Sequence, residues 1–433
     1  MTSPTSIGNA NQLSGNSQIA GYDRTLRQRA VLKDIFVNLT GIYDNEKMTI
    51  PNAIYMKSDE ANVGNNSITI TLKLPLTSGA TTGNGELRGN EEDINTKHVT
   101  MYRNNYRKAV KVEEYGVRYL DQVDYGLYRR HIDDLGLWAQ QYKGFEIRHA
   151  LLERYSSNLD AGDLASTITD QFNSNFYVEN LAEASQPDFS DIASAPTNQL
   201  WIDQINVAIN AAGGGADGTY DQSNAQVARF RSFNKIALRA LSKKLWPLEI
   251  AGNDAFILTL PPQQAAILSD STFSASGSES LASQWVSVNR INDERIQNWY
   301  GLVGVYHTAI GVDIYVVVDH KAPRILPTGT SGSYALTASY VEQGDTDNRS
   351  TNADARDVGF LLGKAALFEW EPEPLHFIKQ DEDYFRIMGH GVAGVRGIQL
   401  PEFDTLNGTA ATNGTTREYY GSMVCVFSVV SYN

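Results

Sequence analysis

Apolar and polar residues alternate strictly from Ile68 to Leu74, where threonines and a lysine separate aliphatic side chains. A period of two is typical of a strand with one buried face. Pro75 closes this run, because proline cannot donate a hydrogen bond to a neighbouring strand. After a Gly-rich segment at 77–92, a second strand-like run extends over 98–112. The pattern predicts a long two-stranded hairpin with a loose acidic tip.

This hairpin needs a surface to lie on. Each strand could span roughly 25–35 Å at ~3.3 Å per residue, and an isolated two-stranded ribbon is only marginally stable in water. No nearby stretch of sequence looks like a partner sheet. We therefore predict that the hairpin lies on a neighbouring subunit.

The returning run carries basic residues interleaved with tyrosines, namely Lys97, Tyr102, Arg103, Tyr106, Arg107, Lys108 and Lys111. Such a surface could bind single-stranded nucleic acid by charge and stacking. Alternatively, it pairs across a subunit boundary with the acidic residues of the tip, which are Glu86, Glu91, Glu92 and Asp93. The balance of opposite charges on one arm favours the second interpretation, in which the charges set register and orientation.

A helical period replaces the alternation after the hairpin. From Ile132 onward, apolar residues and one histidine recur at steps of three and four, at Leu135, Trp138, Tyr142, Phe145, His149 and Leu152. This spacing predicts one stripe of an amphipathic helix of ~22 residues, about 33 Å long. Asp133 and Asp134 near its start and Arg148 and Arg154 near its end would suit the helix dipole. We interpret His149 as a packed core histidine.

The remaining pattern predicts further elements. Helices are expected at 24–37, 201–212, 224–245, 261–270 and 360–368, and strands at 254–260, 301–306, 312–319, 375–378, 391–400 and 423–432. In the helix at 224–245, we expect Leu241 on the inner face and Arg239 pointing away from it. Residues 1–23 indicate a flexible arm, which is either a disordered terminus or a segment that orders on assembly. The tracts 156–200 and 328–356 are polar and are interpreted as irregular connections or surface loops.

Three stretches of the hairpin resemble the major capsid proteins of N4-like tailed phages: Leu74-Pro-Leu-Thr77, the Gly-rich segment 83–92, and Tyr106-Arg-Lys-Ala-Val110. The Gly-rich runs at 301–305 and 391–400 are similar to that family as well. The resemblance implies an α+β, HK97-like phage capsid fold, which tailed phages and herpesviruses share. It implies an N-arm, an extended E-loop hairpin, a peripheral (P) domain with a long spine helix, and an axial (A) domain.

The resemblance also implies a division of the chain and a set of contact residues. The N-arm would be 1–45, the E-loop hairpin with flanking P-domain strands 46–115, the P domain with spine helix and insertion 116–200, the A domain 201–310, and the A-domain remainder returning to the P domain 311–433, with a surface loop near 328–356. The expected inter-subunit residues of the E-loop are Leu76, Thr77, Glu86, Leu87, Arg88, Asn90, Glu91, Glu92, Arg103, Arg107 and Lys108. Those of the N-arm are Arg24, Arg27 and Arg29, and those of the spine helix are Leu135, Trp138, Tyr142, Phe145 and Leu152.

The implied function is that of a major capsid protein. It would self-assemble into hexamers and pentamers of an icosahedral shell that encloses double-stranded DNA without sequence-specific binding. Only a short polar arm precedes the fold, so we expect a separate scaffolding protein, together with a portal and, as an optional partner, a decoration protein. The expected location is the virion, with assembly in the host cytoplasm.

Composition agrees with a structural subunit. The chain has 433 residues, of which 42% are hydrophobic, enough for a substantial core. The net charge of −14 argues against a surface that coats nucleic acid, although it does not exclude a container for DNA. Cys425 is the only cysteine, so no disulfide can form within the chain, as in reducing compartments. The N-terminus lacks the pattern of a signal peptide, and no apolar run is long enough to span a membrane.

No pattern of catalytic or ligand-binding residues stands out, and we expect neither an enzyme nor a metal or cofactor site. The seven histidines lack metal-ligand spacing, and the Gly-rich segment 83–89 is mis-spaced for a dinucleotide fingerprint and has no helix after it. The alternative is a phage-associated carbohydrate-binding or enzymatic β-rich protein, suggested by the 22 tyrosines and six tryptophans. These aromatic residues are spread along the chain at helix-face and strand positions, which favours core and interface roles.

Overall fold

The computed structural model describes residues 34–42, 53–57, 67–73, 96–112, 125–152, 175–179, 228, 230–250, 252–269, 285–287, 291, 294–297, 299–325, 356–382, 387–401, 403–404, 417–418 and 420–428. These parts form an α+β fold with two main sheets and one long helix between them. The predicted helix at 201–212, the arm at 1–23, most of the polar tract 156–200, and the loop near 328–356 lie outside the described residues, apart from 175–179 and Arg356.

The smaller sheet has five strands in the order β1-β2-β14-β15-β5. Its centre is a long antiparallel pair that confirms the predicted strands at 375–378 and 391–400. The bounds of its strands are β1 Thr40–Ile42, β2 Ile54–Lys57, β5 Asn104–Val112, β14 Leu367–Glu382 and β15 Ile387–Gln399.

The larger sheet has nine strands in the order β6-β18-β13-β8-β11-β10-β9, with β12 beside β13 and β7 beside β8. The predicted strands at 254–260, 301–306, 312–319 and 423–432 are confirmed in it. The bounds are β6 Phe176–Val178, β7 Leu248–Ile250, β8 Asn253–Leu260, β9 Trp285–Ser287, β10 Leu302–His307, β11 Asp313–Val318, β12 Arg324–Ile325, β13 Arg356–Leu362 and β18 Ser422–Ser428. Strands β16 Phe403–Asp404 and β17 Arg417–Glu418 pair with each other as a separate two-stranded sheet. Its interior strands are apolar on both faces because both faces are covered.

Four α-helices are described: α1 Tyr125–Leu152, α2 Phe230–Ser242, α3 Pro262–Ser269 and α4 Glu294–Gln297. A 3₁₀ helix, Ile35–Leu39, precedes β1. Helix α2 covers one face of the nine-stranded sheet with Phe233, Ile236 and Ala240. The C-terminal part of α1 and the 3₁₀ helix pack into the core on the other face.

Helix α1 confirms the predicted amphipathic stripe and is longer than predicted, with 28 residues. Leu135 and Ala139 pack with Tyr106 of β5 and Phe377 of β14 in the five-stranded sheet. Further along the helix, Ile147 and its neighbours 150–152 join the core of the nine-stranded sheet. A single helix therefore bridges the two sheets.

The predicted hairpin is confirmed in part. Strands β3, Ser67–Lys73, and β4, Thr96–Tyr102, pair antiparallel, with Ile68 opposite Met101. The returning run does not continue along β3, however, because the chain leaves the ladder after Tyr102 and resumes as β5, which pairs with β15. The second half of this run thus has a partner sheet within its own subunit, contrary to our expectation. That partner is β15, more than 270 residues away in sequence, so no local pattern signals it.

Three predictions about helices are wrong. The run 360–368 is not a helix but the end of β13, a turn, and the start of β14. Leu241 of α2 is 39% exposed, whereas Arg239 is buried and donates from Nε to the carbonyl oxygen of Phe176 at 3.3 Å. Charged residues do not mark the helix dipole of α1, since its first turn has no acidic residue and Arg148 is buried in an ion network.

Candidate inter-subunit surface

The root of the β3–β4 hairpin is fixed to the five-stranded sheet by a small apolar cluster. Ile68 of β3 and Met101 of β4 are buried against Phe368 and Trp370 of β14 and Tyr55 of β2. Phe368 and Trp370 flank Glu369 along β14 and point to the opposite face from it. The Oε1 atom of Glu369 lies 2.5 Å from the Nζ atom of Lys143 on α1. The hairpin root therefore lies on the face of the sheet opposite α1.

The E-loop tip predicted from the sequence lies beyond this root. Its expected contact residues, Leu76, Thr77, Glu86, Leu87, Arg88, Asn90, Glu91 and Glu92, fall outside the described residues, and so do Arg24, Arg27 and Arg29 of the N-arm.

Strand β5, at the edge of the five-stranded sheet, carries the predicted basic residues Arg107 and Lys108, and Arg103 directly precedes it. Arg103, Arg107 and Lys108 are all exposed. The Nζ of Lys108 lies 5.9 Å from the ring centre of Trp138 on α1, a cation–π contact that holds it on the helix side. Arg107, the residue before Lys108 on the strand, points to the other face. The basic cluster is thus divided between two faces.

Tyr106 cannot act as a stacking platform for nucleic acid bases. It is buried under α1, and the guanidinium of Arg396 lies 4.4 Å from its ring centre. Its ring also lies 6.5 Å from that of Tyr142, so two of the expected aromatic residues serve the helix–sheet interface. Burial raises the pKa of both tyrosine hydroxyls, with smaller contributions from nearby carboxylates.

The expected spine-helix residues are brought together on the sheet-facing side of α1. Leu135 and Leu152 are buried, and Trp138, Tyr142 and Phe145 are partly buried. Trp138 and Tyr142 stack with ring centres 5.2 Å apart. His149 is buried as predicted, and loss of hydration lowers its pKa to about 4.

Two buried ionic networks on α1 were not expected from the sequence. The first joins α1 to the five-stranded sheet, where Glu146 pairs with Arg396 of β15 and Lys143 pairs with Glu369 of β14. Burial raises the pKa of the Glu146 carboxyl, and the charge of Arg396 opposes this shift. Removing one partner of such a pair leaves a buried charge uncompensated.

The second network joins α1 to the start of the 3₁₀ helix and to the end of β11. Arg148 donates to both carboxylate oxygens of Asp34, at 2.7 and 2.8 Å, and to both of Asp319, at 2.6 and 2.8 Å. Its fifth N–H donates to the carbonyl oxygen of Gly144 at 2.9 Å. All five donors of the guanidinium are satisfied. Burial lowers the pKa of Arg148, but the two carboxylates outweigh this and leave it raised.

These networks had only weak signals in the sequence. Glu146 interrupts an apolar stretch of α1, and Asp319 directly follows the β-branched strand β11. A lone charge in such a position can be exposed at the end of an element or buried with a partner. The partners of Arg148 are 114 and 171 residues away along the chain, beyond the reach of any local pattern.

Within the described residues, no group of three or more His, Cys, Asp or Glu side chains could hold a metal ion. Among the helices in the described ranges, none is long and apolar enough to cross a membrane.

Comparison with known proteins gives a structural likeness only. No protein-family model matches the sequence, and no curated protein matches it. Among solved structures, "Capsid of Ralstonia phage GP4" contains a chain with TM-score 0.57 and 12% identity, and the match covers 93% of each chain. "Cyanophage Pam1 capsid asymmetric unit" gives TM-score 0.53 and 12% identity over 93% of this chain and 94% of that one.

A third similar structure is "Acidic stable capsid structure of Helicobacter pylori bacteriophage KHP30", with TM-score 0.53 and 12% identity over 91% of this chain and 90% of that one. Because the sequence identities are this low, the likeness establishes the fold. The chain has the fold found in phage capsid structures.

Proposed function

We propose that this chain is the major capsid protein of a tailed phage and acts as a structural subunit without catalytic activity. The observation that carries the proposal is the likeness to chains of phage capsids over more than nine-tenths of both partners. A match of this extent accounts for both sheets and the long helix together. The stretches 74–77, 83–92 and 106–110 of the hairpin support an N4-like family as the finer assignment.

The topology supports a division into the two domains expected of an HK97-like fold. Strands from 201–310 and from 311–433 share the nine-stranded sheet, which we assign to the A domain. Strands β14 and β15 return to pair with β2 and β5, and with α1 as spine helix they would form the P domain. The hairpin β3–β4 would be the root of the E-loop, and 1–45 the N-arm.

Contact between subunits would use the E-loop and the face of β5. Because the root of the β3–β4 hairpin is anchored in its own subunit, the E-loop tip would extend from a fixed position over the neighbouring subunit. Arg107 is exposed on the edge strand and faces away from α1, so it is available to the acidic residues of a neighbouring tip. Lys108, in contrast, is held at Trp138.

Repeated contacts of this kind would close hexamers and pentamers into an icosahedral shell around double-stranded DNA. The net charge of −14 suits a container that does not grip its contents. The proposed partners are further copies of this chain, a separate scaffolding protein and a portal, with a decoration protein as an optional addition. Assembly would take place in the host cytoplasm, and the shell would become part of the virion.

The first test is whether the purified chain assembles. Light scattering and negative-stain images should show closed particles, tubes or capsomers, with or without co-expressed scaffolding protein. A chain that stays monomeric at every concentration, and with the scaffolding protein present, would overturn the proposal.

The second test removes the tip of the E-loop. Deletion of 77–92 should abolish assembly and leave the melting temperature and circular dichroism close to those of the intact chain, because the apolar root of the hairpin is kept. Substitution Lys364→Glu, at an exposed turn of the nine-stranded sheet, serves as a matched control and should assemble normally. Normal shells from the deletion variant would contradict the proposed role of the tip.

A further inference from the structure

The outer side of helix α2 carries two exposed leucines. Leu238 is 53% exposed and Leu241 is 39% exposed, one turn apart on the helix. The inner side of α2 is fully used, since Phe233 and Ile236 pack on the nine-stranded sheet. Among the described residues, the two outer leucines belong to no core cluster.

Two cations lie beside these leucines. Arg231 and Lys235 are four residues apart and so share the face of α2 that carries Leu238. Neither side chain forms an ion pair within the part of the chain that the structure describes. Like charges at this spacing repel each other, and no residue in the described ranges relieves the repulsion.

Two carboxylates, whose charge is opposite to that of Arg231 and Lys235, lie on the β7–β8 hairpin. Glu249 and Asp254 are directly opposite each other in the antiparallel register, and both are exposed. Asp254 has the same orientation as Phe256, which packs in the core under α2, so the pair lies on the α2 side of the sheet. Like charges directly opposite each other destabilise a strand pair. Among the described residues, neither carboxylate has a cationic partner.

We propose that the outer face of α2 binds a second copy of this chain. In this contact, Glu249 and Asp254 of one subunit meet Arg231 and Lys235 of the next, and Leu238 and Leu241 are covered. The contact relieves one repulsion in each subunit and removes exposed apolar surface from water. Two different patches on one chain can join copies head to tail, which is how subunits extend into rings.

The occupant is a protein surface and not nucleic acid. Binding to DNA or RNA depends on several cations that follow the phosphates, whereas this face has two cations beside exposed leucines. The chain itself carries a matching acidic pair, Glu249 and Asp254, whose mutual repulsion is unfavourable in the isolated subunit. The inference deepens the proposed shell function, because it names one contact by which copies of the subunit associate.

A charge-exchange experiment tests this pairing in the full-length chain. The double variant Arg231→Glu/Lys235→Glu and the double variant Glu249→Lys/Asp254→Lys should each lose assembly by light scattering. All four residues lie at the surface, so melting temperatures should stay near that of the wild type. Combining the four substitutions restores opposite charges across the contact and should restore particles. Asp134→Lys, at an exposed position on α1, is the control for charge reversal as such.

Salt gives an independent measurement. Exposed charge pairs are screened as ionic strength rises. The assembly midpoint of the wild type should therefore move to higher protein concentration with added salt, and the midpoint of Arg231→Ala/Lys235→Ala should move less.

The outcomes separate this inference from the proposed function. If wild-type particles form and either charge-reversed variant assembles equally well, the α2 contact is wrong and the shell function stands. If both charge-reversed variants fail to assemble and the combined variant also fails, then the acidic pair does not contact Arg231 and Lys235 of the next subunit. A wild-type chain that never associates would overturn both proposals.

Discussion

Gly144 illustrates how one residue of α1 is fixed by groups from distant parts of the chain. A Cβ atom at this position would lie 2.6 Å from Oδ2 of Asp34 and 2.8 Å from a guanidinium nitrogen of Arg148. Glycine is a poor helix former, so its presence inside a long helix needs a reason. The reason here is the space required for the buried ion network.

The substitution Gly144→Ala should therefore destabilise the chain, although alanine has the higher helix propensity. At an ordinary helix position, glycine to alanine gains about 1 kcal/mol, but here the added methyl group should lower the free energy of unfolding by about 1–3 kcal/mol through overpacking. Urea unfolding measures the change. The pair Gln141→Gly and Gln141→Ala, at an exposed position one turn earlier, supplies the propensity difference on the same helix. A gain in stability from Gly144→Ala would show that the network does not restrict this position.

His149 should make the stability depend on pH. Its pKa is about 4 in the folded chain because burial disfavours the charged imidazole, against about 6.5 when unfolded. As pH falls, the unfolded state binds the proton first. The stabilising contribution is thus present above about pH 6.5 and is lost towards pH 4, with a total of about 3 kcal/mol.

The measurement is the free energy of unfolding between pH 4.5 and 7.5. The variant His149→Phe should show a shallower decline towards acid than the wild type. His320→Gln, which removes an exposed histidine, should retain the wild-type slope. Equal slopes for His149→Phe and wild type would contradict the buried, neutral state of His149.

At the scale of elements, periodicity was sufficient where one face of an element is buried. The alternation at 68–74 and the stripe along α1 each correspond to a real element, because each packs one side against a sheet. The β-branched run at 312–319 was equally informative, since β11 is buried in the interior of the nine-stranded sheet.

The run 360–368 shows where periodicity fails. Phe360, Leu361 and Leu362 are all buried because β13 lies between β8 and β18 with both faces covered. A strand of this kind has no alternation and looks like a buried helix in sequence. Gly363 is the sequence signal for the end of β13, since a Cβ there would lie 2.2 Å from the carbonyl oxygen of Trp246.

Arg239 shows a second limit of periodicity. A charged residue on a helix is assigned to the solvent side by default, yet Arg239 is buried and reaches a carbonyl oxygen of β6. That acceptor lies 63 residues away along the chain. The register between the returning run and β15 was beyond prediction for the same reason. The burial of Arg239 and the register between β5 and β15 both depend on partners far away in the chain, and a single sequence does not show which distant residues pair.

At the scale of the whole molecule, α1 couples the two sheets. Its charged residues divide between them, with Lys143 and Glu146 bound to the five-stranded sheet and Arg148 bound to Asp319 at the end of β11 in the nine-stranded sheet. Apolar packing on both sides adds to these bonds. A helix held in this way transmits the opening of one sheet to the other, so the two sheets should unfold together.

Cys425 offers a direct probe of this coupling. It is completely buried on β18, and burial, together with the charge of Glu179, raises its pKa, so the thiolate that reacts with alkylating agents is suppressed in the folded chain. In urea, alkylation of Cys425 should begin at the concentration at which β15 loses hydrogen-exchange protection, since one transition governs both sheets.

The coupling should fail when its polar bonds to the five-stranded sheet are broken. Arg396→Met leaves Glu146 buried without its cation, at a cost of about 3–5 kcal/mol, so β15 should lose protection at lower urea than is needed to expose Cys425. The double variant Arg396→Met/Glu146→Gln removes the uncompensated charge and should bring the two midpoints back together. If the midpoints already differ in the wild-type chain, α1 does not couple the sheets, and each sheet unfolds as an independent unit.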